Sequence, residues 1–398
     1  MSATALLVVE RDFLDTHVGV RRVVLYYWQM LERQGFRVSL AHLKDGRLYG
    51  AKWLSVADVI AAEANARNDR PVWTSTTRDY REVPTTLRRS PSQTLVWQDR
   101  EVRLDDYNVT VVTNPWLCAG GMPDGPITAG IVYDMVPNLL AVGALNMGAI
   151  IDVYEFARKH DQGYQLYLNR AEKILSISES AGTDFKKFYR LEGRLAGKVS
   201  TVVPFAISDV ERVRSERSAV EGQKSRILLV NILDARKNFS GVKSALKIAA
   251  LSKTFDVDVV GKERMPLSGV IDFLGSLADM GGEVSWYRDC SNAALHRLYL
   301  EADLLVFPSY YEGLGLPILE AQSHGVPVVT SDTSSCVEVN LNRDLAVDPY
   351  RPDLMAQAIS TGVSDASSIM RSHELRNALA DWLTGRNTFD FSVATARI

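Results

Sequence analysis

The stretch FPSYYEGLGLPILEAQSHGVPVVTSDTSSCVEV, residues Phe307–Val339, reads as the end of a strand, a glycine-bearing loop, a short helix and a second strand. The apolar run DLLV just before it, Asp303–Val306, has the character of a buried strand. Gly313 and Gly315 carry no Cβ and let the backbone approach a ligand closely. Pro317 suits the first turn of a helix, where an amide hydrogen would be unpaired anyway. Gly325 sits where that helix should stop in the left-handed conformation. A helix starting just after a glycine loop aims free amides and a positive dipole end at its surroundings, which favours a phosphate.

Two acids bracket this loop, Glu312 and Glu320, with seven residues between them. Dipole complementation alone accounts for Glu320, which falls in the first turns of the helix. Glu312 needs another reason. It lies near the carboxyl end of a strand, where open α/β sheets bind ligands. A carboxylate beside a phosphate repels it unless the carboxylate serves hydroxyl groups instead. A ligand with both a diphosphate and many hydroxyls is a nucleotide sugar. Ordinary loop acids are the competing reading, which weakens when both acids flank one loop.

At these residues the chain resembles the donor-site signature of retaining glycosyltransferases of family 4, which have the GT-B fold. EGLGLPILEA here is similar to that family's EGFGLPxLEA, and GVPVVTSDTSSCVEV is similar to GxPVVxSxxSSxxEV. The resemblance implies that Glu312 lies near the transferred sugar and that Glu320 binds the nucleotide ribose. It also implies that the backbone of Gly313, Leu314, Gly315 and Leu316 faces the diphosphate and sugar. Bacterial mannosyl- and rhamnosyltransferases of surface polysaccharide assembly are the members it resembles. That suggests GDP-mannose as the first donor to consider, with dTDP- and UDP-sugars close behind, and a glycan or lipid-linked glycan as acceptor.

Length and composition agree with this. The 398 residues predict two domains, with 46% hydrophobic and 23% charged residues. A net charge of −3 argues against bulk nucleic-acid binding. Cys118, Cys290 and Cys336 are scattered, which predicts a reducing compartment and no disulfide scaffold. Neither a membrane span nor a signal peptide is read, so the expected location is cytoplasmic, extending to the inner face of the cell membrane.

Strand and helix patterns alternate along the chain, which predicts an α/β fold with parallel sheets and right-handed crossovers. Strands are predicted at Leu6–Glu10, Phe36–His42, Thr94–Trp97, Val109–Thr113, Ile127–Tyr133, Lys173–Ser178 and Val202–Val203, and a helix at Val18–Arg33. The polar, arginine-bearing stretch Ala61–Ser92 reads as a variable loop region. A second half opens with the strand Arg226–Asn231 and a helix over Arg236–Ala250. Strands at Val257–Gly261, Val284–Tyr287 and Leu304–Phe307 follow. The expected layout is an N-terminal acceptor-side Rossmann-like domain over 1–207, a charged linker over 208–225 and a nucleotide-sugar-binding Rossmann-like domain over 226–385. By the same resemblance a helix over 386–398 returns to the first domain, and the two domains face one another across a cleft.

Further positions carry the resemblance unevenly. VNILDARKNFSGVKSAL, Val230–Leu246, is similar to the family's strand, RKN and helix. The match implies that Lys237 meets the donor diphosphate, where a lysine can neutralise charge developing on the leaving group. Arg236 can serve instead or face solvent. Many members carry an arginine six positions before the lysine, where this chain has Asn231. The site is then one cation poorer unless Arg236 or Arg264 compensates. DTHVGVRRVVLYY resembles a glycine loop and helix in which Gly19 and Arg22 match and Arg21 replaces a second glycine; a plain helix-start turn competes for Gly19. GIVYDMVPN resembles VHDLIP, with Tyr133 in place of histidine and Asp134 matching. Tyrosine does not titrate near neutrality, so a proton role there is in doubt, and Asp134 can simply close a strand. Ser178, Glu179 and Ser180 are read first as a helix N-cap.

The expected chemistry needs no cofactor and no metal, since no D-x-D pair stands at a strand end, which argues against a metal-dependent GT-A transferase. Two other classes compete. A nicotinamide oxidoreductase would need G-x-G-x-x-G straight after the first strand, and Ile318 occupies the third glycine position. A non-catalytic sugar-binding or assembly subunit of the same fold is left room by Tyr133 and Asn231. The basic run Phe185–Lys198 reads first as a solvated helix face, with peripheral contact to an anionic membrane as the alternative.

Overall fold

The computed structural model describes residues 3–14, 18–57, 69–81, 95–145, 153–207, 224–364 and 368–392. Backbone contacts divide the chain into two compact units. One comprises Met1–Glu63, Arg89–Ala206 and Gly385–Ile398, and the other Ala64–Arg88 and Ile207–Thr384.

The first unit is built on β1 (Thr4–Val9), followed by α1 (Val18–Arg33). Ala5–Val9 are wholly buried, as a central strand covered on both faces must be. β2 (Arg37–Lys44) pairs with it in parallel, and β3 (Arg47–Ala51) turns back antiparallel. The short strand β4 (Trp73–Thr74) belongs to the other unit. β5 (Trp97–Glu101) closes the edge beyond β3. On the other side of β1 lie β6 (Val109–Val112), β7 (Ile127–Val132), β8 (Ala171–Ser176) and β9 (Val199–Thr201), each parallel to its neighbour. The sheet order is β5-β3-β2-β1-β6-β7-β8-β9. Its longer helices after α1 are α2 (Val136–Ala141), α3 (Val153–Arg170) and α4 (Glu179–Phe188), and a single turn follows at Gly193–Ala196. Ser178 caps α4, its Oγ accepting from the Ala181 amide at 3.0 Å, as the sequence reading expects.

The second unit runs β10 (Ser225–Val230), α5 (Phe239–Ala249), β11 (Phe255–Val260), α6 (Leu267–Ala278), β12 (Val284–Tyr287), α7 (Asn292–Glu301) and β13 (Leu304–Phe307). It continues with α8 (Leu316–Ser323), β14 (Val328–Ser331), α9 (Ser334–Val339), β15 (Ala346–Val347), α10 (Pro352–Gly362) and α11 (Ser372–Leu383). The order β15-β14-β13-β10-β11-β12-β4 starts in the middle and grows outward first one way, then the other. Such an order has a switch point between its first and fourth strands, here β10 and β13, which pair in parallel. Gly315 stands before α8 with φ +85 and Gly325 after it with φ +76, and Pro317 lies in its first turn.

Several elements differ from the sequence reading. The helix expected at Arg236–Ala250 starts at Phe239, because Ala235–Lys237 form a 3-10 turn first. Val202–Val203 lie past β9 rather than in a strand. Of the stretch Ala61–Ser92, residues 69–81 are described, and they join the second unit rather than the first. Val72 and Trp73 are each 2% exposed, Trp73 pairs with Trp286, and Tyr80 stacks on Trp286 with centroids 5.7 Å apart. Two apolar side chains in a polar segment suffice to recruit it, which average composition conceals. The linker residues 208–223 lie outside the described residues.

The chain end packs on the first unit without a helix over 386–391. Val203 donates its amide to the Arg386 carbonyl at 2.8 Å, Phe391 donates to Gln34 Oε1 at 3.0 Å, and Phe391 is fully buried. The helix expected for 386–398 otherwise falls on 393–398, outside the described residues. No described helix is long and apolar enough to cross a membrane.

Candidate active site

The second unit brings its candidate functional side chains together at the β10–β13 switch point. Lys237 lies in the turn after β10, and Glu312 in the loop after β13. These strands are parallel neighbours, so both loops leave the same sheet edge. The Lys237 Nζ donates to Glu312 Oε1, and the same ammonium stands 4.7 Å from the centre of the Phe307 ring. Both side chains are largely covered, at 12% and 14% exposure, so the pair acts in a medium where charge interactions are strong.

The backbone of Glu312 is pinned from both sides by α9. Its amide donates to Ser334 Oγ at 3.0 Å, and Ser335 Oγ donates to its carbonyl at 2.9 Å. Beneath lies Cys336, whose thiol is pushed up to about 12, first by burial and then by the Glu312 charge. Gly313, Leu314, Gly315 and Leu316 form the turn from Glu312 into α8, and Leu314 is buried. At Gly315 a Cβ would come within 2.8 Å of Ile318 Cδ1, the movable end of a side chain, so it is the positive φ that favours glycine there. Glu320, on α8, accepts from the Tyr299 hydroxyl at 2.8 Å. Tyr299 is itself buried and stacked on His324, which hydrogen-bonds His296 at 2.9 Å. Burial, with the nearby His296 and Arg376 charges, lowers His324 to about 4.

Arg236 is placed differently from Lys237. Its guanidinium bonds Asp234 Oδ2 at 3.2 Å, and Arg264 approaches the same oxygen at 3.7 Å. Burial works to raise the Asp234 carboxyl, but the two arginines and the Arg236 amide leave it below the ordinary carboxylate range. Both candidate substitutes for the arginine absent at Asn231 are therefore engaged by Asp234. Asn231 itself adopts φ +56, a conformation asparagine tolerates better than most residues, and a Cβ on Gly261 would meet its Oδ1 at 2.5 Å. The departure at 231 thus has a local conformational reason.

Sequence reasoning missed the residues that hold this site together. Asn238 takes φ +61, caps α5 through the Gly241 amide at 3.1 Å, accepts from Tyr310 at 2.8 Å and donates to the Pro349 carbonyl at 2.7 Å. It stands in the RKN run, and Ser334 and Ser335 in the SDTSS run, so the signal lay beside the residues chosen. Tyr299 had no signal of its own.

The remaining predicted residues lie in the first unit. Gly19 is in the first turn of α1, and a Cβ there would meet nothing within 4 Å. Arg22 is half-exposed on the same helix, while its neighbour Arg21 is buried and donates to the Leu14 carbonyl at 2.8 Å. Tyr133 follows β7 and donates to Asn114 Oδ1 at 3.3 Å. Its burial, reinforced by Tyr27 and Glu10, holds the phenol well above its usual range, so it does not titrate near neutrality. Asp134 accepts from the Val136 amide at 2.9 Å and its carbonyl accepts from Tyr164 at 2.9 Å, a turn at the entry to α2.

Two parallel-rich sheets with these connections define a class. The chain has the GT-B fold of glycosyltransferases: it resembles the solved structure of WaaG, a glycosyltransferase involved in lipopolysaccharide biosynthesis, with a TM-score of 0.57 and 14% identity over 98% of this chain and 97% of that one. Anabaena Alr3699/HepE in complex with UDP-glucose is similar at a TM-score of 0.60 and 15% identity, over 98% and 97%. Residues 211–380 match the model of glycosyl transferases group 1. The O-antigen chain mannosyltransferase B of Escherichia coli is 33% identical over 147 residues, 35% of this chain and 37% of that protein. The serotype-specific mannosyltransferase WbdA of Escherichia coli is 22% identical over 167 residues, 41% of this chain and 20% of that protein. The matches therefore span well under half the length of these relatives.

Proposed function

We propose that this protein transfers a sugar from a nucleotide diphosphate sugar to a hydroxyl of a glycan or lipid-linked glycan, with retention at the anomeric carbon, in assembly of a bacterial surface polysaccharide. Mannose from GDP-mannose is the first donor to test. The observation that carries the reading is the Lys237–Glu312 pair at the switch point of a glycosyl transferases group 1 domain. The names of the Escherichia coli relatives support mannose, and the UDP-glucose complex of the Anabaena neighbour supports a nucleotide sugar.

In this mechanism the bond from the anomeric carbon to the diphosphate oxygen breaks. The acceptor oxygen bonds that carbon from the same face, and its proton passes to the departing phosphate oxygen. Lys237 and the amides of Gly313–Leu316 bear on the negative charge of the leaving group, so no metal is called for. Glu312 orients sugar hydroxyls and steadies positive charge on the ring. Glu320, held by Tyr299, takes the ribose hydroxyls. Arg236 acts through Asp234 at the base of the turn. By the resemblance, Gly19 and Arg22 are the first unit's candidates for donor phosphate binding, to be tested by substitution. The exposed Lys187, Arg190 and Arg194 leave peripheral membrane contact as a further part of the proposal, whereas Lys198 donates to the Leu168 and Ala171 carbonyls at 3.0 Å each. Liposome co-sedimentation checks it.

The test is a melting-temperature screen with GDP, UDP and dTDP, then a transfer assay with the sugar nucleotide whose base protects best. Glu312→Ala should abolish transfer while the protein stays folded, and product NMR should show the donor's anomeric configuration. Unchanged turnover in Glu312→Ala, or an inverted product, sinks the assignment.

A further inference from the structure

We infer that His324, with Tyr299 stacked on it and His296 bonded to it, is a positioning residue for Glu320 and sets how sharply the donor's ribose is told from 2-deoxyribose. This rests on the transfer function proposed above, in which Glu320 takes the ribose hydroxyls.

His324 directly follows α8, four residues after Glu320. The Glu320 carbonyl accepts from His324 Nδ1 at 2.7 Å and from Ser323 Oγ at 2.7 Å. Its carboxylate accepts at Oε2 from the Tyr299 hydroxyl at 2.8 Å. One residue is thus held at both its backbone and its side chain. The two holders pack on each other, with the Tyr299 and His324 rings 5.2 Å apart and 21° from parallel. His296 and Tyr299 stand three residues apart on α7 and so share one face of that helix. His296 Nδ1 lies 2.9 Å from His324 Nε2, so α7 grips the same imidazole twice. From α11, Arg376 donates to the Ser323 carbonyl at 2.8 Å.

The partners fix the protons. A carbonyl oxygen accepts and cannot donate, so His324 Nδ1 carries a hydrogen. Neutral imidazole then has its acceptor at Nε2, and His296 Nδ1 donates to it. Burial above all keeps His324 neutral at pH 7. Tyr299 and His324 are 1% and 4% exposed, so water does not compete for these bonds, whereas Glu320 itself is half-buried.

Capping of α8 would by itself explain the Nδ1 bond. It does not explain why the capping ring is stacked on the tyrosine that bonds the same residue's carboxylate. Holding Glu320 at both ends removes rotamer freedom that would otherwise be lost when a ligand binds. A carboxylate already aimed at a hydroxyl also loses most when that hydroxyl is missing, because its hydrogen-bonding partner is gone.

The experiment is calorimetric titration of the full chain with GDP and 2′-deoxy-GDP, or the matching pair for whichever base protects best. Wild type, Glu320→Ala and His324→Phe are compared. Phenylalanine keeps a ring against Tyr299 and removes both nitrogen contacts. Wild type should prefer the ribonucleotide by about tenfold or more, since a hydrogen bond to a charged group is at stake. Glu320→Ala should erase that preference, and His324→Phe should cut it to about threefold or less while the protein stays folded. An unchanged preference in folded His324→Phe, including an equal loss of affinity for both nucleotides, makes His324 a packing residue and overturns the inference. Should His324→Phe fail to fold, His296→Ala, at a half-exposed position, removes one of the two grips and decides by the same ratio. Full preference in Glu320→Ala, or none in wild type, removes the ribose role of Glu320 and this inference with it, leaving the transfer reading standing. Absence of binding by GDP, UDP and dTDP removes the donor reading itself.

Discussion

The two sheets each have a switch point, and their linings differ in kind. At β10–β13 a lysine and a glutamate meet, with backbone amides of a helix start beside them. At β1–β6 a glutamate is bonded to an indole, and tyrosine, histidine and phenylalanine crowd around it. The same topological device thus carries a charge-paired lining in one unit and an aromatic, acid-bearing lining in the other. A fold supplies the switch point, and the loops decide which side chains line it.

Breaking the charge pair should have the largest effect. Lys237→Ala leaves Glu312 with its charge uncompensated and removes the cation for the leaving group. Turnover should fall about a hundredfold or more, with the first unit's hydrogen exchange unchanged. Steady-state kinetics beside hydrogen exchange checks both halves, and lost protection in β1 or β6 would erase the distinction between the two regions.

Next is the aromatic region. A Cβ at Gly163 would lie 1.9 Å from the Pro115 carbonyl oxygen, where α3 packs on the turn bearing Trp116. Gly163→Ala should destabilise the first unit by about 3 kcal/mol, the upper range for overpacking. Hydrogen exchange should show lost protection in β6 and α3, with β10 and β13 protected as before.

Acid sensitivity offers a third comparison. His160, lowered to about 3, stays neutral when folded and takes up a proton near 6.5 when unfolded. Unfolding therefore binds protons between these values. The stability is complete above pH 6.5 and is lost as pH falls toward 3, by about 2 kcal/mol at pH 5. His160→Phe keeps the cage of Trp116, Phe156 and Tyr164 filled and should flatten this decline in urea titrations at pH 7, 5 and 4. His324, lowered to about 4, gives the second unit a decline of the same sign, which His160→Phe should leave in place.

The smallest effect belongs to Tyr299→Phe, which deletes the hydroxyl bonded to Glu320. One such bond contributes about 1 kcal/mol, so KM for the donor should rise about fivefold with kcat little changed. An equal fall in kcat would show that Tyr299 acts on more than ribose recognition.

The sequence reading was sharpest where a site is local. EGLGLPILEA contains its strand end, loop and helix start within one stretch, and RKN adds the facing turn, so Glu312 and Lys237 could be chosen before any contact was known. Even there it overlooked Asn238, Ser334 and Ser335, whose hydrogen bonds hold the loops. It also left open whether Arg236 is a second free cation, which Asp234 answers. In the first unit it reached Tyr133 and missed Glu10, Trp116, Phe156 and His160. These stand at positions 10, 116, 156 and 160, and none carries a spacing signal linking it to the others.

By itself, then, the sequence determined the alternation of strands and helices and the glycine loop with its two acids. Those features depend on backbone propensity, glycine conformation and hydrophobic period, which act over a few residues. Tertiary structure decided that Lys237 meets Glu312, that residues 69–81 extend the second sheet, and that four distant side chains meet. Strand order sets those encounters, and strand order depends on which apolar faces bury one another across the whole chain.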